Sequence, residues 1–212
     1  MREYVLDDGG MNLLSSAALA QLRDSLPQDG DLFVLRSGRP HIFAAGADMA
    51  EMARFTFADA DRFARLGQET FAAIERLPMP TVAIVDGDCF GGALDLVLAF
   101  DVRFATPRSR FSHPGAKLGI VTGFGGTSRW RRVLEPQFAR RLFLGNEVLS
   151  AADALAIGLV DVVGESFDED LARVASLDDA TTRVVKELAR HAEGLTDAQL
   201  LLFARRLSLL HA

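Results

Sequence analysis

Asp86-Gly-Asp-Cys-Phe-Gly-Gly-Ala-Leu-Asp95 is the stretch on which the fold of this chain turns. The run before it, Thr81-Val-Ala-Ile-Val85, is continuous and β-branched, as expected of a strand covered on both faces. Two glycines then follow, and an apolar helix begins at or near Gly92 and runs towards Asp101. At the start of such a helix the first N–H groups have no carbonyl partner, and the dipole favours negative charge there. A Gly-Gly pair alone also serves tight packing in parallel-sheet proteins.

Upstream, Tyr4–Leu6 reads as a short strand and Asp8-Gly9-Gly10 as a turn. Ser15 or Ser16 can cap a helix that carries Leu19, Leu22 and Leu26 on one face. Leu32–Arg36 reads as a buried strand, and a helix from about Ala58 to Leu77 is stopped by Pro78 and Pro80. Downstream, Val102–Ala105 is another strand. Strands alternating with helices at this spacing predict an α/β fold with a mostly parallel sheet. Ser150-Ala-Ala-Asp153 can cap a helix over Ala151–Ile157, which Gly158 ends before a strand over Val160–Val163. Helices are expected over about Ala180–His191 and Thr196–Leu210. The second is so leucine-rich that it should pack on the domain or on another subunit.

Phe43-Ala-Ala-Gly-Ala-Asp-Met-Ala-Glu51 resembles the Gly91-Gly92 turn: a strand runs into small residues, then into a helix. Asp48 with Glu51 three positions later is close to a capping box. The small side chains of Ala44, Ala45, Gly46 and Ala47 leave the main chain open to a ligand, although an ordinary strand-to-helix turn has the same composition. Two such turns could converge on one oxygen from two sides, the geometry of an oxyanion hole. A third segment, Phe111–Arg129, is glycine-rich and opens a helix at about Thr127. It lacks the Gly-Lys-Ser/Thr ending of a nucleotide-phosphate loop and the glycine spacing of a dinucleotide site.

The bulk numbers limit the classes. A chain of 212 residues, 49% hydrophobic and 25% charged, is enough for one domain with a sizeable core. A formal charge of −6 argues against nucleic acid as a partner. No apolar run is long enough to span a membrane, and no secretory signal is visible at the start. The single cysteine, Cys89, excludes an intrachain disulfide and reads as a small apolar filler. A cytoplasmic location is the default expectation, and no metal site is indicated. Lys117 and Lys186 are the only lysines, so an anionic ligand would have to meet arginines. Candidates are the pairs Arg131-Arg132, Arg140-Arg141 and Arg205-Arg206, which read equally as solvated helix faces.

With these residues in view, the chain resembles the crotonase, or enoyl-CoA hydratase/isomerase, superfamily. The resemblance spans roughly Asn12 to Val163 and rests on four blocks: Phe43–Met49 (with AAGAD), Val85–Asp101 (DGxxxGGALDLxLAFD), Leu118–Arg129 (LGxxxGxGGTxR) and Leu149–Val163 (LSAADALAIGLVDVV). It implies a crotonase-like fold, stacked ββα units around a mostly parallel sheet. The core would cover residues 1–164, and the C-terminal helical segment, 165–212, would serve oligomer packing. It implies an acyl-CoA thioester as substrate, its carbonyl oxygen held by the backbone N–H groups of Ala47 and Gly92. Ala44, Ala45, Asp48, Met49, Phe90, Gly91, Pro114 and Gly115 would contact that substrate. No separate cofactor is implied, because coenzyme A is part of the substrate, and the assembly would be a homotrimer or homohexamer.

The activity implied is that of a lyase or isomerase of acyl-CoA (fatty acid) metabolism, and here the chain departs from the pattern. Family hydratases use a glutamate in the second block and another in the third; the corresponding residues are Asp95 and Gly115. Asp is one methylene shorter, roughly 1.5 Å of reach, and a misplacement of about 1 Å can cost about a hundredfold in rate. Gly115 has no side chain at all. Asp95 is the acid/base candidate, with His113 as a second, because imidazole suits proton transfer near neutrality; Thr122 lies in the same loop. Decarboxylation, thioester hydrolysis, or a catalytically weak acyl-CoA-binding subunit are the alternatives. His41 stands where a lysine is common, and Arg39 is the nearest replacement for contacting CoA phosphates.

Overall fold

The computed structural model describes residues 1–177 and 179–190. Strands β1 (Arg2–Leu6) and β2 (Leu13–Leu14) lead into α1 (Ser16–Asp24). Next come β3 (Phe33–Ser37), β4 (Ile42–Ala44), β5 (Gly46–Ala47), α2 (Met49–Met52) and α3 (Phe57–Glu75). The chain continues through β6 (Thr81–Val85), β7 (Asp88–Phe90), α4 (Gly92–Val97), β8 (Val102–Ala105) and β9 (Arg110–Ser112). Helices α5 (Gly126–Val133) and α6 (Pro136–Phe143) follow, then β10 (Leu149–Ser150), α7 (Ala151–Ala156) and β11 (Val162–Val163). The described part ends with α8 (Asp168–Ala175) and α9 (Asp179–Arg190).

A five-stranded sheet has the order β1-β3-β6-β8-β11, and every neighbouring pair in it is parallel. A second sheet, β10-β9-β7-β4, is parallel except at its β10 edge. A third pair joins β2 to β5. Consecutive strands divide between the first two sheets. β3, β6 and β8 enter the larger one, and β4, β7 and β9 enter the smaller, each pair before a return through helix. This is the stacked ββα arrangement expected from the sequence.

The larger sheet is covered on both faces, which explains its apolar strands. Phe33 and Leu35 of β3, Ala83 and Val85 of β6, and Ala105 of β8 enter the main core. The alternate residues Val34, Val82 and Phe104 enter a second cluster closed by Phe167, Leu171 and Val174, so α8 lies on the far face. The alternation follows the period of two along a strand. Burying a side chain such as Phe104 contributes roughly 1.5–3 kcal/mol.

Local chemistry fixes the helix ends. Ser15 accepts from Ala18 N–H at 3.1 Å and caps α1. Thr56 with Asp59, and Ser150 with Asp153, form reciprocal capping boxes on α3 and α7. Asp48 accepts from Ala50 N–H at 2.9 Å and Glu51 N–H at 3.0 Å. Glu51 does not complete that box; it accepts from Ser16 N–H at 2.9 Å and ties α2 to the start of α1.

Two boundaries differ from the sequence expectation. The helix from Gly92 ends at Val97 instead of near Asp101. The Asp101 carboxylate accepts from Thr81 N–H (2.9 Å) and Thr81 Oγ1 (2.8 Å), which ties the turn after the helix to β6. The strand expected over Val160–Val163 shortens to β11 because Leu159 and Val160 donate back to Ala154 O at 2.8 and 3.3 Å. The helix expected over Ala180–His191 is α9, while His191, the helix over Thr196–Leu210 and the pair Arg205-Arg206 lie outside the described residues.

Candidate active site

The two glycine turns meet. Gly46 has φ +98°, and a Cβ there would lie 2.7 Å from Phe90 O and 3.2 Å from Gly92 N. Only glycine permits both the backbone angle and that approach. Asp48 N–H donates to Leu14 O at 3.4 Å, so by strand alternation the Ala47 N–H points away from β2. Across the gap, Gly91 adopts φ +56° and donates to Ser112 O at 2.9 Å. Gly92, the first residue of α4, has no intrahelical partner for its N–H. A Cβ on Gly92 would sit 3.5 Å from Ala47 N. Two backbone amides from distant parts of the chain therefore border one small volume.

That volume opens into a cavity of about 300 Å³. Its inner wall is aromatic: Phe63 packs edge-on to Phe55 at 5.1 Å and to Phe124 at 5.0 Å. Phe124 also meets Phe71 edge-on at 5.6 Å and fits only because residue 67 is glycine, where any Cβ would overlap its ring. The loop carrying Phe124 is strapped down from two sides. Gln68 Nε2 donates to Gly123 O at 2.6 Å, and the buried Arg129 donates to Phe124 O and to Glu75, each at 2.8 Å. Met49, Leu118 and Val121 form an exposed apolar rim.

Most of the residues singled out in the sequence gather here. Ala45, Ala47, Met49, Gly91, Gly92, His113, Pro114 and Gly115 line the cavity, as does Thr122. Ala44 does not; it is buried in the core between the turns. The Asp48 side chain is occupied in capping α2. Phe90 lies off the cavity, with the Arg110 guanidinium 5.8 Å over its ring. Asp95 is fully buried and is not on the cavity wall. Its Oδ2 accepts from the Thr122 hydroxyl, and its Oδ1 faces His113 Nε2 at 3.5 Å. A Cβ on Gly126 would overlap the same carboxylate, so glycine at the start of α5 makes room for it.

The contribution of α3 is absent from the sequence reading. Ala60, Phe63 and Ala64 line the cavity, and Gly67 seats Phe124 one turn on. Their three- and four-residue spacing is a stripe on one helix face and was a usable signal. Cys89 is buried, and burial pushes its thiol well up, with Asp95 and Asp88 adding to the effect, as befits a filler. Arg39 reaches Asp7 at 3.8 Å, and His41 sits at φ +64°, its carbonyl accepting from Asp88 N–H. In the basic pairs, Arg132 is engaged by Glu75 and Arg141 by Glu147. Among the described residues no group of His, Cys, Asp and Glu is arranged to hold a metal ion, and no helix is long and apolar enough to cross a membrane.

The family model for enoyl-CoA hydratase/isomerase matches residues 9–200. Crotonyl-CoA hydratase of Syntrophomonas wolfei is 34% identical over 165 residues, 76% of this chain and 64% of that protein. The human mitochondrial methylglutaconyl-CoA hydratase is 34% identical over 186 residues, 85% of this chain and 52% of that protein. This chain thus spans between about half and two-thirds of the length of these curated relatives. The structure of Pseudomonas aeruginosa DspI superposes with a TM-score of 0.84 at 28% identity, covering 99% of this chain and 91% of the other. With blocks, fold and relatives in agreement, the chain belongs to the enoyl-CoA hydratase/isomerase family.

Proposed function

We propose that this chain binds an acyl-CoA thioester in the cavity and acts on it as an enoyl-CoA hydratase/isomerase-like enzyme, through an enolate held by Ala47 and Gly92. One observation carries the reading: the amides of Ala47 and Gly92 border the same small volume at the mouth of an apolar cavity. A thioester oxygen placed there accepts two N–H groups. Both bonds strengthen as negative charge moves from the acyl chain to that oxygen, which lowers the barrier to reaction at the α and β carbons. Loss of one such donor typically costs about 3–4 kcal/mol of transition-state stabilisation.

The acyl chain would extend towards Phe63 and Phe124, where apolar carbon replaces water. Ala45, Met49, Gly91, Pro114 and Gly115 would contact the thioester and the adjoining part of CoA. Ala44 and Asp48 would contribute only main chain, since one is buried and the other caps a helix. CoA belongs to the substrate, and addition of water to an enoyl thioester balances without another cofactor. A homotrimer or homohexamer goes with this reading, and sedimentation velocity tests it.

A second reading, binding without turnover, is favoured by Gly115, which places no side chain on the cavity wall. Crotonyl-CoA separates the two. The enzyme reading predicts saturable binding by calorimetry together with loss of the conjugated enoyl absorbance. Binding with unchanged absorbance supports the second reading, and no binding at all sinks both.

A further inference from the structure

Among the described residues the cavity wall carries one ionisable side chain, and it is not Asp95. Of the described residues that line the cavity, His113 alone has a side chain that can both take up and release a proton. Its ring is 5% exposed and stacks on Phe143 of α6 at 4.6 Å and 30°. Nε2 points inward at Asp95 Oδ1, 3.5 Å away. Both of these atoms are buried and have no hydrogen-bond partner among the described residues. Nδ1 lies on the other edge of the ring, towards Gly115, where a Cβ would come within 3.2 Å of it. With no side chain at Gly115, that residue puts nothing over Nδ1, and His113 lines the cavity.

Asp95 is arranged to serve that ring. Its second oxygen is fixed by the Thr122 hydroxyl, and Gly126 leaves room for the carboxylate at the start of α5. Among the described residues, Phe143 of α6 and Gly115 flank the imidazole without charge, and Lys117 in the same loop is exposed. A buried carboxylate facing one imidazole nitrogen fixes the tautomer and leaves the other nitrogen as a base.

We infer that His113 is the catalytic acid/base of this cavity and that Asp95 is its positioning residue, an assignment that rests on an enoyl thioester occupying the cavity. Nδ1 takes a proton from water as the water oxygen bonds to the β carbon. The π electrons of the double bond move to the α carbon and the thioester oxygen, which Ala47 and Gly92 hold. The imidazolium then returns its proton to the α carbon, and the carbonyl re-forms. One molecule of water is added, and the imidazole ends neutral with its proton on Nε2, facing Asp95.

The test uses crotonyl-CoA with wild-type protein, His113→Gln, Asp95→Asn, the double variant and His113→Gly. His113→Gln should lower kcat about a hundredfold or more, with the calorimetric dissociation constant for crotonyl-CoA within about threefold of wild type. Asp95→Asn should lower kcat about tenfold at unchanged KM, and have almost no further effect once His113 is Gln, because a positioning residue acts through the group it positions. Added imidazole should restore part of the activity of His113→Gly, and not of the same variant carrying Asp95→Asn. A His113→Gln protein with wild-type kcat, or an Asp95 effect that persists undiminished without His113, overturns the assignment. Wild-type binding without turnover overturns it too while leaving thioester binding intact. Absence of binding removes the thioester reading first and this one with it.

Discussion

The two glycine turns and the Phe111–Arg129 segment build opposite sides of one cavity by different means. At Gly46–Ala47 and Gly91–Gly92 the atoms that border the cavity belong to the backbone. Their positions follow from strand ends, a positive φ and the absence of Cβ atoms, all of which leave marks in local sequence. At His113, Thr122 and Phe124 the proposed roles fall to side chains. Their directions depend on partners elsewhere: Asp95 on α4, Phe143 on α6, Gln68 and Gly67 on α3. A site made of main chain is readable from a short motif. A site made of side chains is readable only once the packing is known.

The sharpest way to break this contrast is to give a glycine turn a side chain. Gly46→Val would force a β-branched residue into φ +98° and against Phe90 O. Crotonyl-CoA turnover should fall about a thousandfold, the upper range for losing one oxyanion donor, with the circular dichroism spectrum retained. Turnover within tenfold of wild type would show that the amides do not act as described. On the other side, Arg129→Met removes the donor to Phe124 O and one partner of the half-buried Glu75 carboxylate. It should destabilise the fold by about 3 kcal/mol in urea unfolding and raise KM for crotonyl-CoA, whereas an unchanged midpoint would mean that the loop is held by other means.

Gly115→Glu sharpens the contrast further. A Cβ at 115 would meet Ile120 O at 2.8 Å and His113 Cε1 at 3.0 Å. Adding the carboxylate should therefore lower turnover, by about tenfold from overpacking of roughly 1–3 kcal/mol, and a gain in turnover would contradict the packing seen here. Smallest is Thr122→Val, which takes away the hydroxyl on Asp95. It should reduce kcat about threefold to tenfold, in line with roughly 1.5 kcal/mol for a hydrogen bond to a charged group, with KM unchanged. A change confined to KM would place Thr122 on the substrate instead.

Much of the fold was legible. The mostly parallel sheet, the cap at Ser150 and the stop at Gly158 follow from β-branched runs alternating with helices, a capping box and a glycine at φ +76°. The early end of α4 was not, and neither was the tie of Asp101 to Thr81 in a neighbouring strand. In the cavity, Ala47 and Gly92 were legible for the reason given above. The placement of Asp95 behind the wall and of His113 on it was not, since sequence offset along α4 does not say whether a carboxylate ends inside the cavity or behind its wall. The aromatic wall went unread because Phe63 and Phe124 are far apart in the chain and meet only through Gly67.

Polarisation of the thioester carbonyl is the central claim, and isotope-edited infrared spectroscopy of carbonyl-labelled crotonyl-CoA reports it directly. Two amide donors should move the bound carbonyl band to lower wavenumber than in water, and Gly46→Val should reduce that displacement. A band at its aqueous position in the wild-type complex would contradict the account.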